Sequence, residues 1–141
     1  MVSFALARLV RIEDDESLFK LFKLTEQDLA DRITDKKDLE ALREYVNFSS
    51  RELRKFLGAA KTNLGADKWA IKTRNGSGVL TVTTINALII LFRRVAKRDG
   101  LSSFETYKRK LSKLGSFNFG DYRSSQYNRM ADAILKDIYD A

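Results

Sequence analysis

The absence of proline from all 141 residues is the feature of this sequence that most constrains its fold. Average usage of about 5% would give roughly seven prolines in a chain of this length. Proline interrupts helices because it lacks a backbone N–H and its ring clashes with the preceding turn. A chain without it can form long helices, and we therefore expect a mainly α fold: a compact domain of six or seven helices.

The spacing of apolar residues predicts where these helices lie. The strongest pattern contains apolar residues separated by 3, 1, 3, 3 and 1 positions: Ile85, Leu88, Ile89, Phe92, Val95 and Ala96. We expect Thr83 or Thr84 to cap this helix and Gly100 to end it, and we expect it to be central to the core. Weaker patterns predict helices over residues 4–12, 18–24, 25–33, 35–46 and 102–114, and a last helix that follows Ser124 or Ser125 and carries Ile138.

Two short segments have the sequence of a capping box, in which a serine and a glutamate three residues later satisfy backbone N–H groups at a helix start. One is Ser49-Ser50-Arg51-Glu52 and the other is Ser102-Ser103-Phe104-Glu105. The first box predicts that a new helix begins near Ser49 and fades between Gly58 and Gly65.

One segment has the pattern of a β-hairpin, over about residues 69–83. Trp69–Thr73 and Val79–Thr83 are rich in β-forming residues, and Asn75-Gly76 between them suits a tight turn. A lone hairpin is marginal in water, so we expect it to pack on helices or on other strands. A winged-helix arrangement is a less favoured alternative, because the hairpin precedes the strongest helix.

The charge is distributed unevenly along the chain. Residues 1–50 contain 8 basic and 11 acidic residues, a net charge of −3, and residues 51–141 contain 18 and 8, a net charge of +10. Since no linker or repeat divides the chain, we expect one domain over residues 1–141, with an acidic first part and a basic remainder. The acidic run Glu13–Glu16 is expected to cap a helix start rather than to bind magnesium.

The composition removes most familiar catalytic chemistry. The chain has no cysteine and no histidine, so thiolate nucleophiles, disulfides and the usual zinc sites cannot form. We expect no catalytic residues, no metal and no cofactor, although an enzyme that uses only carboxylates and lysines stays an open alternative. The lack of cysteine favours the cytoplasm, and the longest apolar run, Ile85–Phe92, is far below the roughly 20 residues of a membrane span.

Basic side chains are the candidate site, because cations in a row can neutralise successive phosphates and release counterions. The residues expected to contact nucleic acid are Arg93, Arg94, Lys97, Arg98, Lys108, Arg109, Lys110, Lys113, Lys72, Arg74 and Arg123. The alternative is a solvated surface whose cations merely suit helix C-termini.

Two features near the C-terminus also suit nucleic acid. Aromatic residues 117, 119, 122 and 127, interleaved with Arg123 and Arg129, could stack on single-stranded bases, although packing in the core is the favoured interpretation. The segment 123–127 places several polar groups before a helix, where a phosphate could bind.

Part of the chain resembles a known family. Trp69, the segment Gly78-Val79-Leu80-Thr81-Val82-Thr83-Thr84-Ile85-Asn86-Ala87-Leu88-Ile89, Phe119 and Tyr122-Arg123-Ser124-Ser125-Gln126-Tyr127 resemble the C-terminal region of bacterial DGQHR-domain proteins, relatives of DNA-phosphorothioation regulators. The resemblance covers residues 69–139 and implies a setting of DNA modification or mobile-element defence. It transfers no site residue, and the signature Asp-Gly-Gln-His-Arg is absent because the chain has no histidine.

The sequence therefore predicts a non-catalytic nucleic-acid-binding or accessory module, with DNA favoured and no membrane association. The alternative is a protein-protein interaction module or homodimerising subunit that does not bind nucleic acid.

Overall fold

The computed structural model describes residues 2–11, 17–33 and 38–141, with side chains from residue 5 onward. The described part is mainly helical, as predicted. Its seven α-helices are α1 (Val2–Val10), α2 (Phe19–Thr25), α3 (Gln27–Ile33), α4 (Leu39–Lys68), α5 (Val82–Asp99), α6 (Phe104–Lys110) and α7 (Tyr127–Ile134). Short 3-10 turns lie at Leu114–Ser116 and Phe119–Asp121, and α7 continues into a π-helical turn, Leu135–Tyr139. The acidic run 13–16 lies outside the described residues.

Helix α5 is the centre of the fold, as its apolar pattern predicts. Its side chains are buried on every face from Ala87 to Phe92, and it packs against α7, α1 and α4. Phe92 lies 5.3 Å from Phe56 of α4, and Phe56 lies 5.2 Å from Tyr107 of α6, measured between ring centroids. These three buried rings join α4, α5 and α6.

A second aromatic group anchors the acidic first third of the chain to α4. Tyr45 lies between Phe19 and Phe22 of α2, with centroid separations of 5.4 and 5.2 Å. The Tyr45 hydroxyl donates a hydrogen bond to the carbonyl of Val10 at the end of α1, at 2.9 Å. Residues 2–11 and 17–33 therefore belong to the same core as the basic remainder.

The prediction of a helix start at Ser49 is wrong, because α4 runs without interruption through it. Ser49 is buried in the middle of α4 and its Oγ has no hydrogen-bond partner. The cap is Asp38, whose Oδ1 accepts a hydrogen bond from the Ala41 N–H at 3.1 Å. Buried residues before and after Ser49, from Tyr45 to Phe56, line one face of the helix. Burial of this continuous face outweighs the local capping signal.

The predicted β-hairpin over residues 69–83 is also wrong. No strand forms in the described part of the chain, and the segment contains a single parallel bridge between Ile71 and Leu80. Thr81, rather than Thr83 or Thr84, caps α5, since its Oγ1 accepts a hydrogen bond from the Thr84 N–H at 3.0 Å. Helix α5 thus incorporates Val82 and Thr83, and too little of the second strand is left to pair.

Of the later helix boundaries, the end of α5 and the start of α6 agree with the predictions, but α6 ends at Lys110 rather than continuing to Leu114. Gly100 ends α5 with a φ of 79°. Within the second capping box it is Ser103 that caps α6, by accepting a hydrogen bond from the Thr106 N–H at 3.2 Å. Met130, Ile134 and Ile138 are buried as expected for the last helix. None of the helices in the described ranges is long and apolar enough to span a membrane.

Candidate nucleic-acid interface

The predicted cations of α5 are largely bound within the protein. Arg93 is 4% exposed. Arg94 donates hydrogen bonds to the Asp132 carboxylate and, at 3.1 Å, to Asn128 Oδ1. Arg98 contacts two carboxylates, with Nε 2.9 Å from Asp99 Oδ1 and Nη1 2.8 Å from Asp140 Oδ2. Lys97 is exposed at the same end of the helix.

The charges around Arg98 form a compact ionised network. Hydrogen bonds from Arg98 hold the pKa values of Asp99 and Asp140 below the usual range of aspartate, and the two carboxylates raise the pKa of Arg98. Lys110 lies near enough to act on both carboxylates, and its Nζ lies 5.5 Å from the centroid of the Tyr139 ring. The positive charge at this end of α5 is therefore offset by nearby acids.

Helix α6 and the turn after it present a second group of predicted cations. Arg109, Lys110 and Lys113 are exposed and Lys108 is half-buried. None of the four forms a salt bridge with an acidic residue of the described ranges. We call these four residues the α6 cations. In contrast to Arg98, they can exchange solvent counterions for phosphates without first breaking an ion pair.

A groove of about 260 Å³ lies beyond the C-terminal end of α4, and a third group of cations lies around it. We call this groove the aromatic groove. Its lining residues are Lys68, Lys72, Gly78, Val79, Thr81, Thr84, Phe117, Asn118, Phe119, Gly120 and Tyr122. The Phe117 and Tyr122 rings are stacked, with centroids 5.7 Å apart and planes 14° apart, and both are partly exposed. Phe119 is buried and packs edge-on against Phe117.

Cations from three segments lie at or next to this groove. Lys72 is exposed, and Lys68 donates a hydrogen bond to the carbonyl of Gly115. The Arg129 guanidinium lies 6.0 Å from the centroid of Tyr122. Arg123 is exposed directly after Tyr122 in the chain. The predicted Arg74 is exposed in the loop between Lys72 and Gly78.

Contacts with α4 connect the α6 cations to the aromatic groove. Asn63 Nδ2 donates a hydrogen bond to the carbonyl of Lys108 at 2.9 Å, and one turn later Lys68 reaches Gly115. The segment 108–115 thus follows the last turns of α4 towards the groove. The structure therefore places the predicted cations in two regions. One is α5, where acidic residues pair with Arg94 and Arg98, and the other is the surface formed by the α6 cations and the aromatic groove. Sequence reasoning did not single out Lys68, because a lysine in a helix carries no signal of the loop it will contact.

A separate cavity of about 450 Å³ lies between α1, α5 and the start of α7. We call it the α1–α5–α7 cavity. Its lining residues are Ala5, Arg8, Val82, Thr83, Asn86, Ile90, Arg93, Ser124, Ser125, Tyr127 and Asn128. Asn86 is 3% exposed and its Oδ1 has no hydrogen-bond partner. In the described ranges, no group of three acidic side chains is placed to hold a metal ion.

Comparisons with protein-family models, curated proteins and solved structures found no match to this chain. The resemblance over residues 69–139 therefore stays a prediction.

Proposed function

We propose that this chain is a non-catalytic nucleic-acid-binding module, with DNA favoured, and that a single strand contacts the aromatic groove. The observation that carries the proposal is the partly exposed stacked pair of Phe117 and Tyr122 beside Lys68 and Lys72. Stacking of a base on an aromatic side chain contributes about 1–3 kcal/mol, and neighbouring cations follow the phosphate backbone. The groove offers both components in one place.

The α6 cations extend this surface beyond the groove. Their side chains lie outside the ion pairs that neutralise Arg94 and Arg98, so each contact with a phosphate releases a counterion. A strand that leaves the groove along the segment 115–108 passes these cations in sequence. The resemblance to DGQHR-domain proteins supports a role in DNA modification or mobile-element defence as the biological setting.

Salt dependence tests the electrostatic part of the proposal. Affinity for a fluorescent single-stranded oligonucleotide is measured by anisotropy at several salt concentrations. The double variant Lys72→Ala/Arg123→Ala should weaken binding and should reduce the slope of log K against log salt by about 1.4, since each contact with single strands contributes about 0.7. The control Lys23→Ala/Arg43→Ala removes the same charge from exposed positions of α2 and α4. Equal effects of the two variants would refute a localised interface.

Stacking is tested separately at Tyr122, where a base would take the place of the Arg129 guanidinium over the ring. Tyr122→Leu keeps an apolar side chain in the groove but removes the ring, so affinity for the strand should fall by about 5- to 150-fold, the equivalent of 1–3 kcal/mol. Ile71→Ala is the control, because Ile71 is 78% exposed beside the groove and has no ring to stack. Unchanged affinity in a folded Tyr122→Leu protein would exclude stacking at this position.

An exposed apolar face favours homodimerisation as the second candidate function. On α4, Leu42 and Val46 are 39% and 50% exposed, and beside them Leu6 of α1 is 38% exposed. Leu6 and Val46, together with Leu53 and Val10, line a shallow groove between α1 and α4. Residues 39, 42, 46 and 53 have the spacing of a coiled-coil seam. If a second copy covers this face, light scattering will give twice the monomer mass, and Val46→Glu will restore the monomer.

A further inference from the structure

We infer that Asn75, in the exposed loop beside the aromatic groove, is a site of spontaneous deamidation, and that the carboxylate formed there weakens binding of the strand. Asn75 is the only asparagine of the sequence that is followed by glycine. The pair Asn75-Gly76 has the sequence of a hairpin turn, but no strands flank it in the described part of the chain. The effect on binding rests on the proposed function, whereas the modification itself does not.

The loop leaves both reacting groups of this pair accessible. Residues 72–79 form neither helix nor strand, and Asn75 and Gly76 are exposed. Within the described ranges, neither the Asn75 side-chain amide nor the Gly76 N–H forms a hydrogen bond. Gly76 has no Cβ beside its nitrogen, so its backbone can approach the neighbouring side chain closely. Deamidation requires this approach, because the nitrogen of residue 76 must reach the side-chain carbon of residue 75.

The reaction is an intramolecular displacement whose one co-reactant is water. The Gly76 backbone nitrogen loses its proton and attacks Asn75 Cγ, so that a new N–C bond forms. The bond from Cγ to the side-chain nitrogen breaks, and that nitrogen takes up a proton and leaves as ammonia. Water then opens the resulting succinimide ring at either carbonyl and gives aspartate or isoaspartate. Each product carries a negative charge at neutral pH, where asparagine carries none.

A second asparagine, Asn118 in the wall of the groove, lies in an environment that protects its amide. Its Oδ1 accepts a hydrogen bond from the Gly120 N–H at 3.2 Å, and its Nδ2 donates one to Asp121 Oδ1 at 2.9 Å. The next residue, Phe119, is buried and begins a 3-10 turn. The Asn118 side chain is therefore held by its own hydrogen bonds, and it provides an internal reference for Asn75.

The new carboxylate would form among the cations of the groove. Lys72 lines the groove, and the Val79 N–H donates a hydrogen bond to the carbonyl of Lys68 at 2.9 Å, so both ends of the loop are held there. Asn75 is three residues from Lys72, which places their Cα atoms within about 11 Å of each other. A carboxylate at this position repels the phosphates of a strand and attracts Lys72 and the exposed Arg74. Strand affinity should therefore decline as the protein ages.

Peptide mapping tests the modification. The full chain is incubated at several pH values and digested, and mass spectrometry with fragmentation assigns the site. We expect position 75 to show the mass change for replacement of NH₂ by OH, in two chromatographically separate products, at a rate that rises with pH because the attacking nitrogen must lose a proton. Asn75→Gln should stay unmodified, since its longer side chain closes a less favourable ring. Survival of the Asn75 amide for as long as that of Asn118 would overturn the inference.

Strand binding is measured with Asn75→Asp and its uncharged match, Asn75→Gln. At low salt Asn75→Asp should weaken oligonucleotide affinity about twofold or more, the effect of a unit charge roughly 10 Å from a phosphate in water. The difference should vanish at high salt, and Asn75→Gln should bind as the unmodified chain does.

The outcomes separate this inference from the proposed function. If Asn75→Asp binds as tightly as Asn75→Gln, the effect on binding is refuted, even when Lys72→Ala/Arg123→Ala weakens binding as the proposed function requires. If the unmodified chain binds no strand at all, the proposed function fails and the effect on binding fails with it. Peptide mapping still decides the modification in that case.

Discussion

Two glycines of the same helix should respond to alanine in opposite directions. Gly65 lies in α4 with φ 80° and ψ 167°, a conformation almost restricted to glycine, whereas Gly58, seven residues earlier, has ordinary helical geometry. A Cβ at Gly65 would have no heavy atom within 4 Å, so Gly65→Ala tests backbone strain without a steric clash. A Cβ at Gly58 would lie 3.6 Å from the Phe104 ring, an ordinary contact.

The expected magnitudes follow from these backbone angles. Strain in this region costs about 1–3 kcal/mol, so Gly65→Ala should lower the free energy of unfolding by that amount. Gly58→Ala should raise it by about 0.5–1 kcal/mol, because glycine within a helix is less favourable than alanine by that margin. For a chain of this size the two variants should differ in Tm by roughly 5–15 °C.

The stabilities of both variants are measured by urea and thermal unfolding. The fluorescence of the single tryptophan, Trp69, reports the transition. The kink at Gly65 also directs the last turn of α4, and with it Lys68, towards the aromatic groove. We therefore expect Gly65→Ala, but not Gly58→Ala, to weaken binding of a single strand. If alanine at position 65 is neutral or stabilising, α4 does not bend there and the placement of Lys68 in the groove is wrong.

Three further predictions concern stability and titration. Thr81→Ala should cost about 1 kcal/mol of unfolding free energy, since Thr81 caps α5; urea unfolding will measure it, and a neutral result would contradict the observed helix start. Arg98→Gln should raise the pKa of Asp140 towards the ordinary aspartate value, as followed by carboxyl NMR, and should leave oligonucleotide affinity almost unchanged because Arg98 is already paired. Burial raises the pKa values of Tyr45 and Tyr139 to about 12. The unfolded chain loses these protons near pH 10, so the free energy of unfolding should fall as the pH rises from 10 to 12. Ultraviolet titration near 295 nm should show tyrosines that ionise above pH 10 while the chain is folded, and none once it is unfolded.

The fold was predictable where a single local pattern and burial agree. Helix α5 is apolar on all sides from Ala87 to Phe92, and no arrangement other than a central helix buries it fully. The predicted end at Gly100 and the buried residues of the last helix are confirmed for the same reason. In each case the chain's short-range preference and its packing require the same structure.

The wrong predictions of a helix start at Ser49 and of a hairpin over residues 69–83 occurred where local preference and packing conflict. Ser49 has a capping sequence, but it lies between Tyr45 and Phe56, whose burial on a common face requires an unbroken helix. Val82 and Thr83 have side chains that favour strands, but the cap at Thr81 joins them to the more strongly apolar α5. Such conflicts are decided by contacts between distant segments, which a single sequence does not show.

The candidate sites were less predictable than the fold, because each one joins segments that are far apart in the sequence. Arg8, Asn86 and Ser124 line one cavity. Of these three residues, only Ser124 lies in a segment with a local signal, the polar groups of residues 123–127 before a helix. The basic character of residues 51–141 was evident, but which cations are neutralised was not. That depends on acids such as Asp132 and Asp140, which reach α5 only when α7 packs against it.

Under the proposed function, the pairing of these acids with α5 determines which kind of nucleic acid we expect the chain to prefer. Had Arg94 and Arg98 been unpaired, they would have joined the α6 cations in a broad basic face of the type that binds a duplex backbone. Because Asp132, Asp99 and Asp140 neutralise them, the strongest remaining combination is the aromatic groove with its neighbouring cations. Stacked, partly exposed rings contribute nothing to a paired duplex, whose bases already stack on one another, but they can contact the faces of unpaired bases. A preference for single strands over duplex of the same length is therefore the sharpest consequence of this ion pairing, and equal affinity for both would require the binding surface to lie elsewhere.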